Sequence, residues 1–455
     1  MSNEAKKGPQ PSFRMMVTGI ILLTVTIRIC FVLVISHPEI RKGEFHPKSD
    51  ETQYHGLAET LATEGKYRFT PNSPPTAYRS PGIILPLALL YYLLEPLPFV
   101  GLIYVWLYGV LTIPVLGVMA FITTKSERVT IAAMIIGAFT PTLWYTSSSI
   151  GSDSPANLMI LVLLTLLLGM RKDGPVWRWA IAGLVLAFAY LNRTTPIFFL
   201  LYLFSLGYIF YLYKARKKII PAILLSIFFF SPIIAWGLRN ALVMDRFFIG
   251  STVGGQALWG SNNPLTAGMA LPAIRYLDGH DLYEEARNGH YLGSWVPGNY
   301  IPGGDAPRES PLNEMEQYEF YKDKTMRFLM TQPKALIRLT AFKFMRIFTA
   351  EPYALSISLE KGIKYTLKRY VVLLERYFIL LFGISGLFLF FRKNYHGSYL
   401  YLIFILVGTV QLFLSYVNAR FFLPITIVMI VPAATALCGL YEMALKKMPH
   451  KIVLR

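Results

Sequence analysis

Ten runs of about 20 apolar residues are the feature that most constrains the fold of this 455-residue chain. A helix of that length spans the ~30 Å hydrocarbon core of a bilayer. Only 15% of the residues are charged, against about 25% in ordinary soluble domains. The sequence therefore predicts an all-α polytopic membrane protein with crossings at 15–36, 99–122, 129–149, 153–170, 177–192, 195–213, 219–238, 370–391, 399–417 and 421–443.

The basic residues of alternate loops set the expected orientation, because Lys and Arg in short loops are retained on the cytoplasmic side. The rule holds for every loop if the weaker apolar run at 81–95, bounded by Pro81 and Pro96, does not cross. We expect a re-entrant or juxtamembrane helix there, which gives ten to eleven membrane helices in all. The residues expected inside are Lys6, Lys7, Arg14, Lys125, Arg128, Arg171, Lys172, Arg178, Lys214, Arg216, Lys217, Lys218, Arg392, Lys393, Lys446, Lys447 and Lys451.

This topology divides the chain into three parts. Residues 1–238 form an N-terminal membrane module that includes a first outer loop at 37–98, residues 239–369 form a larger outer loop, and 370–455 form C-terminal membrane helices. Both termini lie in the cytoplasm. We expect a multi-pass protein of the plasma (inner) membrane.

The net charge of +18 is not taken as a sign of nucleic-acid binding, because much of it lies in the inner loops and meets anionic lipid. Cys30 and Cys438 both fall inside apolar runs, so the outer loops have no disulfide framework. No P-loop, GxGxxG, HExxH or DxD motif occurs, and the seven histidines lack metal-ligand spacing. Nothing in the sequence requires a cofactor or predicts a metal site. The carboxylates do not decide whether the protein uses a divalent metal.

Carboxylates, amides and arginines gather on the expected outer side, most of them at the outer end of a predicted helix. Taken singly, a loop carboxylate is usually solvated and an arginine at a helix end usually extends to the headgroups. Asp153 could cap the next helix, with Pro155 in its first turn. Arg28 lies within the first apolar run and is expected to form a structural ion pair. The outer set is Asp50, Glu51, Arg79, Asp153, Asn192, Arg193, Arg239, Asn240, Asn418 and Arg420.

Two segments of the larger outer loop carry further expectations. Residues 258–264 contain Gly and Asn and predict tight turns that expose Trp259 with Asn262 and Asn263. Trp259 offers a face on which a sugar could stack, or it belongs to a small loop core. From 318 to 348 the pattern predicts one amphipathic helix in the outer interface, whose cations could steer an anionic ligand; they are Lys334, Arg338, Lys343 and Arg346.

The chain resembles the GT-C superfamily of integral-membrane glycosyltransferases, close to the protein O-mannosyltransferase and lipid A aminoarabinose transferase type. The resemblance covers most of the chain in order. It is carried by Ser49-Asp50-Glu51-Thr52-Gln53-Tyr54, Tyr78-Arg79-Ser80-Pro81-Gly82, Gly151-Ser152-Asp153, Leu191-Asn192-Arg193-Thr194, Arg239-Asn240, the 254–264 stretch and Asn418-Ala419-Arg420-Phe421.

The resemblance implies a GT-C-like bundle that takes a sugar from a polyprenyl-phosphate donor and transfers it to an extracytoplasmic protein, lipid or cell-envelope glycan. The enzyme would be a hexosyl- or pentosyltransferase, with a mannosyltransferase among the possibilities. By this resemblance Asp50 is the general base of an inverting single displacement, Glu51 is its neighbour in the carboxylate pair, and Asp153 orients the acceptor or Arg79. The donor and acceptor would be bound by Arg79, Tyr54, Arg193, Arg239, Asn240, Trp259, Asn263 and Arg420. Its partners would be donor, acceptor and membrane lipids, without nucleic acid.

Two alternatives stay open. A transporter or flippase of a lipid-linked or anionic substrate would place ionisable residues near the membrane midplane and show internal inverted repeats. A ligase that uses a diphosphate-linked glycan would keep the outer site and change the donor.

Overall fold

The computed structural model describes residues 12–47, 50–213, 215–263, 313–349, 363–415, 417 and 419–447. This part of the chain is helical and contains no β-strand, which confirms the predicted all-α class. The α-helices are α1 Phe13–Phe31, α2 Asp50–Glu64, α3 Ile84–Leu94, α4 Pro98–Thr124, α5 Glu127–Ala138, α6 Pro141–Ser147, α7 Asp153–Leu168, α8 Arg178–Asn192, α9 Ile197–Leu212, α10 Ile219–Met244, α11 Val253–Ser261, α12 Glu314–Thr331, α13 Pro333–Thr349, α14 Ile363–Arg392, α15 Ser398–Leu414 and α16 Ala419–Lys447.

Five helices of the described part are long and apolar enough to cross a membrane, and six if α5 and α6, which bend by 57° at their break, form one span. The five begin within α1, α4, α10, α14 and α16. The apolar helices α3, α7, α8, α9 and α15 are shorter, at 10–17 residues. A polytopic membrane protein is thus supported, while the number of crossings and their orientation stay predictions.

The break between α5 and α6 is stabilised by a half-buried acid from another helix. Pro141 begins α6, whose first N–H groups have no partner within the helix. The Glu375 carboxylate of α14 accepts hydrogen bonds from the Thr142 backbone N at 2.9 Å and its hydroxyl at 2.8 Å. An anion at a helix N-terminus is favourable, so Glu375 fixes the turn that leads toward α7.

Arg28 of α1 supports the same short helix from the other end. Its Nη1 donates to the Leu143 carbonyl at 3.0 Å and to the Ser147 hydroxyl, and its side chain is buried. No carboxylate of the described residues forms an ion pair with it. The expected structural ion pair is therefore wrong: neutral acceptors of α6 take that place.

Helices α7 and α16 occupy the interior of the bundle. α4 and α8 pack against α7, and α14 runs along α16. The first residues of α7 and α16 and the end of α8 lie together, beside α2. One end of the bundle therefore brings together helix termini that are far apart in the chain.

The predicted amphipathic helix at 318–348 is two helices. α12 begins with Asn313 as its N-cap, ends at Thr331, and α13 starts anew at Pro333, because proline cannot continue a helix but suits its first turn. Lys343 of α13 is buried and donates to the Asn262 side-chain oxygen and the Phe413 carbonyl, both at 2.7 Å. Lys343 thus holds α13 to the bundle rather than facing an incoming anion.

Candidate active site

Asp50, the first residue of α2, joins two arginines from distant parts of the chain. Its Oδ1 accepts from Arg79 Nη2 at 2.6 Å, and its Oδ2 accepts from Arg420 Nη1 at 3.3 Å. Arg79 Nε donates to Gln53 Oε1 at 2.8 Å, one turn along α2. The guanidinium of Arg79, together with that of Arg420, outweighs burial and holds the pKa of Asp50 at about 2.

Asp153 continues this chain of charges. It is the first residue of α7, after the N-cap Ser152, and its buried carboxylate pairs with Arg420 through one oxygen and with Arg193 through the other. The capping interpretation is therefore wrong, since the cap is Ser152 and the Asp153 carboxylate is held by arginines. The charges alternate in space in the order Arg79, Asp50, Arg420, Asp153 and Arg193.

Aromatic rings hold two of these guanidinium groups. Arg79 lies over the ring of Tyr54 at 5.0 Å, and Arg193 lies over Phe421 at 4.1 Å. The Tyr54 hydroxyl donates to Ser152 Oγ at 3.1 Å, which ties α2 to the start of α7. Stacking on an aromatic face fixes the guanidinium plane while its outer N–H groups remain able to donate.

The arginines face an open cavity of about 960 Å³, part of which is continuous with the outside. Its lining combines hydroxyl-bearing and apolar side chains. Asp50 and Asp153 adjoin the cavity through the arginines. The cavity, called here the main cavity, is lined by Tyr54, Arg79, Ser80, Ser152, Asn192, Arg193, Thr194, Thr195, Pro196, Ser251, Val253, Gly254, Ala257, Leu258, Ser261, Gln411, Leu414, Ser415, Arg420 and Phe421.

The Glu51 side chain is buried and makes its contacts away from Arg79 and Arg420, the partners of Asp50. Its Oε1 accepts from the backbone N of Ile150 at 3.1 Å, and His37 Nε2 lies 3.8 Å away. Glu51 therefore fixes the loop between α6 and α7 that presents Asp153. Glu51 is not among the residues that line the main cavity.

Arg239 and Asn240 of α10 also lie outside the lining of the main cavity. Arg239 Nη1 donates to the Thr76 carbonyl at 2.8 Å and to the Asn240 side chain at 2.9 Å, and Nη2 donates to the Tyr67 carbonyl at 3.3 Å. Asn240 donates in turn to the Phe248 carbonyl at 2.6 Å. These contacts hold the first loop against α10, so this arginine supports the segment that carries Arg79.

The predicted tight turns at 258–264 are wrong for the residues that the structure describes, because Trp259 belongs to α11. Gly255 allows the close packing of α11: a Cβ there would lie 2.8 Å from the Tyr318 carbonyl of α12.

Trp259 is half-buried, with Lys324 Nζ 5.7 Å from its ring. Asn263 is buried and donates to the Trp259 carbonyl at 2.9 Å. Neither side chain lines the main cavity. Pro264, Asn418 and the interval 264–312 lie outside the described residues.

Gly82, directly after Arg79-Ser80-Pro81, lies where the first loop meets the end of α8. Its N–H donates to the Leu191 carbonyl at 2.8 Å, and a Cβ there would lie 2.4 Å from the Asn192 backbone N. Only glycine allows this approach of the first loop to the end of α8. Arg79 and Arg193 thereby come to the same cavity.

Glu314, at the start of α12, is a supporting residue that the sequence analysis did not identify. Its carboxylate accepts from Thr76 Oγ1 at 2.6 Å, from the Ala77 N at 2.9 Å and from Thr252 Oγ1 at 2.5 Å. Burial raises its pKa, although these donors oppose the rise. One acid thus joins α12, α11 and the residues directly before Arg79.

Replacing Glu314 with Ala is expected to lower stability by about 1–3 kcal/mol, because buried donors lose their acceptor. The thermal midpoint of the detergent-purified protein should fall by a few degrees, whereas Asp323→Ala, at an exposed position of the same helix, should leave it unchanged. Equal midpoints for Glu314→Ala and wild type would contradict this supporting role.

The fold and the cavity define a polytopic membrane protein with a cavity at one end of its bundle that Arg79, Arg193 and Arg420 line. Among the described residues, no group of three His, Cys, Asp or Glu could hold a metal ion. No protein-family model matches the sequence. A search of curated proteins found no significant match.

Solved structures do resemble it. The archaeal oligosaccharyltransferase AglB from Archaeoglobus fulgidus, in complex with an inhibitory peptide and a dolichol-phosphate, matches with a TM-score of 0.50 and 14% identity over 95% of this chain and 50% of that chain. The same enzyme with Zn and sulfate gives a TM-score of 0.53 and 14% identity over 94% and 49% of the two chains. ArnT from Cupriavidus metallidurans bound to undecaprenyl phosphate gives 0.42 and 14% over 95% and 81%.

Both neighbours are GT-C superfamily membrane glycosyltransferases. The likeness to AglB, at 14% identity, confirms the predicted fold alone. The chain spans about half the length of the AglB chains that it matches.

Proposed function

We propose that this protein is a membrane glycosyltransferase, active on the extracytoplasmic face of the plasma (inner) membrane, that moves a sugar from a polyprenyl-monophosphate donor to an extracytoplasmic acceptor. The observation that carries the proposal is the cluster of Arg79, Arg193 and Arg420 in the main cavity, paired with Asp50 and Asp153. Guanidinium groups bind phosphate oxygens through two hydrogen bonds. AglB, which shares the fold, has been solved with a dolichol-phosphate.

The charges of the site match a monophosphate donor throughout the reaction. Three arginines and two carboxylates leave one net positive charge, which a singly charged phosphodiester balances. If Asp50 takes a proton during transfer, the cluster carries two positive charges when the leaving phosphate carries up to two negative ones. A diphosphate-linked donor would bring an additional negative charge before the reaction.

In the proposed reaction the acceptor hydroxyl or amine attacks the anomeric carbon while the bond from that carbon to the phosphate oxygen breaks. The electron pair of the broken bond stays with the phosphate, and the proton of the acceptor passes to Asp50. Attack from the side opposite the phosphate inverts the anomeric centre. Positive groups preorganised around the leaving phosphate lower the barrier by several kcal/mol.

Asp50 and the donor compete for the same arginines. Without donor, Arg79 and Arg420 hold the carboxylate and keep its pKa at about 2, which makes it a weak base. A phosphate that takes over these N–H groups frees the carboxylate and raises its basicity. Asp50 is therefore a stronger base when the donor is bound. In the empty site its low pKa limits its uptake of a proton.

The test is transfer of labelled sugar from a panel of polyprenyl-phosphate sugars to membrane acceptors by the purified protein in lipid vesicles. We expect transfer from at least one monophosphate donor and little from the matching diphosphate donor. Translocation of the lipid-linked sugar across the vesicle membrane without any transfer would contradict the proposal and favour a transporter. Transfer from the diphosphate donor alone would favour a ligase.

A further inference from the structure

A second, smaller cavity opens beside the main one. It is partly open to the outside and holds about 310 Å³ of space between atoms, most of it narrow, with free room for about one water molecule or one hydroxymethyl group. Four residues line both cavities: Arg193, Thr195, Gln411 and Phe421. This smaller space is called the side cavity. The other lining residues are Ala156, Asn157, Ile160, Ile197, Phe198 and Pro424.

Three polar atoms of the side-cavity residues are buried without a hydrogen-bond partner among the described residues. They are Nδ2 of Asn157, Oγ1 of Thr195 and Oε1 of Gln411. Asn157 is 2% exposed and Gln411 5% exposed. A buried polar group without a partner is costly, at about 1–3 kcal/mol, so three such atoms around one small cavity indicate that a polar ligand group completes them.

The chemistry of the lining decides which group fits. The three atoms offer an amide donor, an amide acceptor and a hydroxyl that does both. Among the described residues that line the side cavity, Arg193 is the lone cation, and it is already held by Asp153, so a second phosphate lacks the charge that it needs. An isoprenoid chain would leave all three polar atoms unsatisfied. A small neutral group that both donates and accepts satisfies them.

We propose that the side cavity binds the exocyclic hydroxymethyl group of the transferred sugar, so that the protein selects hexosyl over pentosyl donors. This inference rests on the proposed transferase function. Arg193 lines both cavities, so a phosphate held by the arginines of the main cavity has its sugar next to the side cavity. Asn157 donates to the hydroxymethyl oxygen, and Gln411 accepts its proton.

The test compares matched donors that differ only in the hydroxymethyl group, such as the polyprenyl-phosphate forms of glucose and xylose, galactose and L-arabinose, and mannose and lyxose. For the sugar series that the protein uses, we expect wild type to favour the hexose by about 100-fold in kcat/KM, because a site that hydrogen-bonds a hydroxyl rejects the analogue without it. In Asn157→Leu and, independently, Gln411→Leu, the preference should fall below about 10-fold through loss of hexose transfer alone.

Thr165→Val is the matched control, because Thr165 lies on α7 with Asn157, bonds only to the Leu161 carbonyl and lines neither cavity. It should keep the wild-type preference. Size-exclusion profiles identify variants that do not fold, and Thr195→Val provides a third, smaller change.

Three results would overturn the inference. Equal use of hexose and pentose by wild type would mean that no such subsite operates. An unchanged preference in the folded variants would mean that a water molecule fills the side cavity. An equal loss for both sugars would show a purely structural role. If wild type transfers no sugar at all, the proposed function itself fails, which differs from failure of the subsite alone.

Discussion

Replacing Asp50 with Asn is expected to lower the turnover number for sugar transfer by about 10³-fold, within the range for loss of a general base. The amide keeps the size of the carboxylate but cannot take the proton of the acceptor. The same change removes the group that competes with donor phosphate for Arg79 and Arg420. Donor affinity should therefore be retained or improved while transfer is lost.

The control for this prediction is Glu59→Gln, an acid of α2 that lies beside His55 and does not line the main cavity. Transfer at near wild-type rate by Asp50→Asn would exclude Asp50 as the base. Loss of transfer by both variants would indicate a general disturbance of α2.

Arg79→Ala should have the second largest effect, with donor affinity reduced by about 10- to 100-fold, because a charge-assisted hydrogen bond contributes about 1.5–3 kcal/mol. The turnover number should fall as well, since the guanidinium also meets the charge that develops on the leaving phosphate. Arg79→Lys should recover part of the affinity, because it restores the charge without the two-pronged geometry. The measurement is the affinity for polyprenyl phosphate together with single-turnover transfer.

Arg41→Ala is the matched control, since Arg41 is an exposed arginine of the same first loop. Its affinity and turnover should equal those of wild type. Unchanged phosphate affinity in folded Arg79→Ala would contradict the assigned role and move the phosphate toward Arg193 or Arg420.

The residues at the centre of the site could be predicted because the expected topology places all of them on the outer side of the membrane. Arg79, Asp153, Arg193 and Arg420 fall near predicted ends of apolar runs, Asp50 lies in the first outer loop on the same expected side, and the bundle brings these segments together. Their connection through alternating ion pairs could not be read from the sequence, since it depends on which helices are neighbours.

Arg239 and Arg79 show why the sequence alone could not separate the roles of individual arginines. Both were expected near the outer surface, and both lie beside tyrosines. Arg239 meets backbone carbonyls of the first loop and Arg79 meets Asp50 and Gln53. Only tertiary packing separates these roles.

Local composition misled the prediction at α11. Glycines at 254 and 255 favour turns, but here the absence of a side chain at Gly255 allows α11 to pack on α12. Glu314 was missed because a single acid in a polar outer segment carries no pattern. Asn157 and Gln411 had a usable signal, since each is a lone amide within an apolar run, where a polar residue is costly and commonly functional.

The most direct measurement of the central claim is the dissociation constant of polyprenyl phosphate for wild type and for Asp50→Asn under identical conditions. We predict that Asp50→Asn binds the phosphate at least as tightly as wild type, because the arginines lose their competing carboxylate. Binding that is clearly weaker in folded Asp50→Asn would show that the arginines and Asp50 do not divide phosphate binding and proton transfer between them, and would contradict the account.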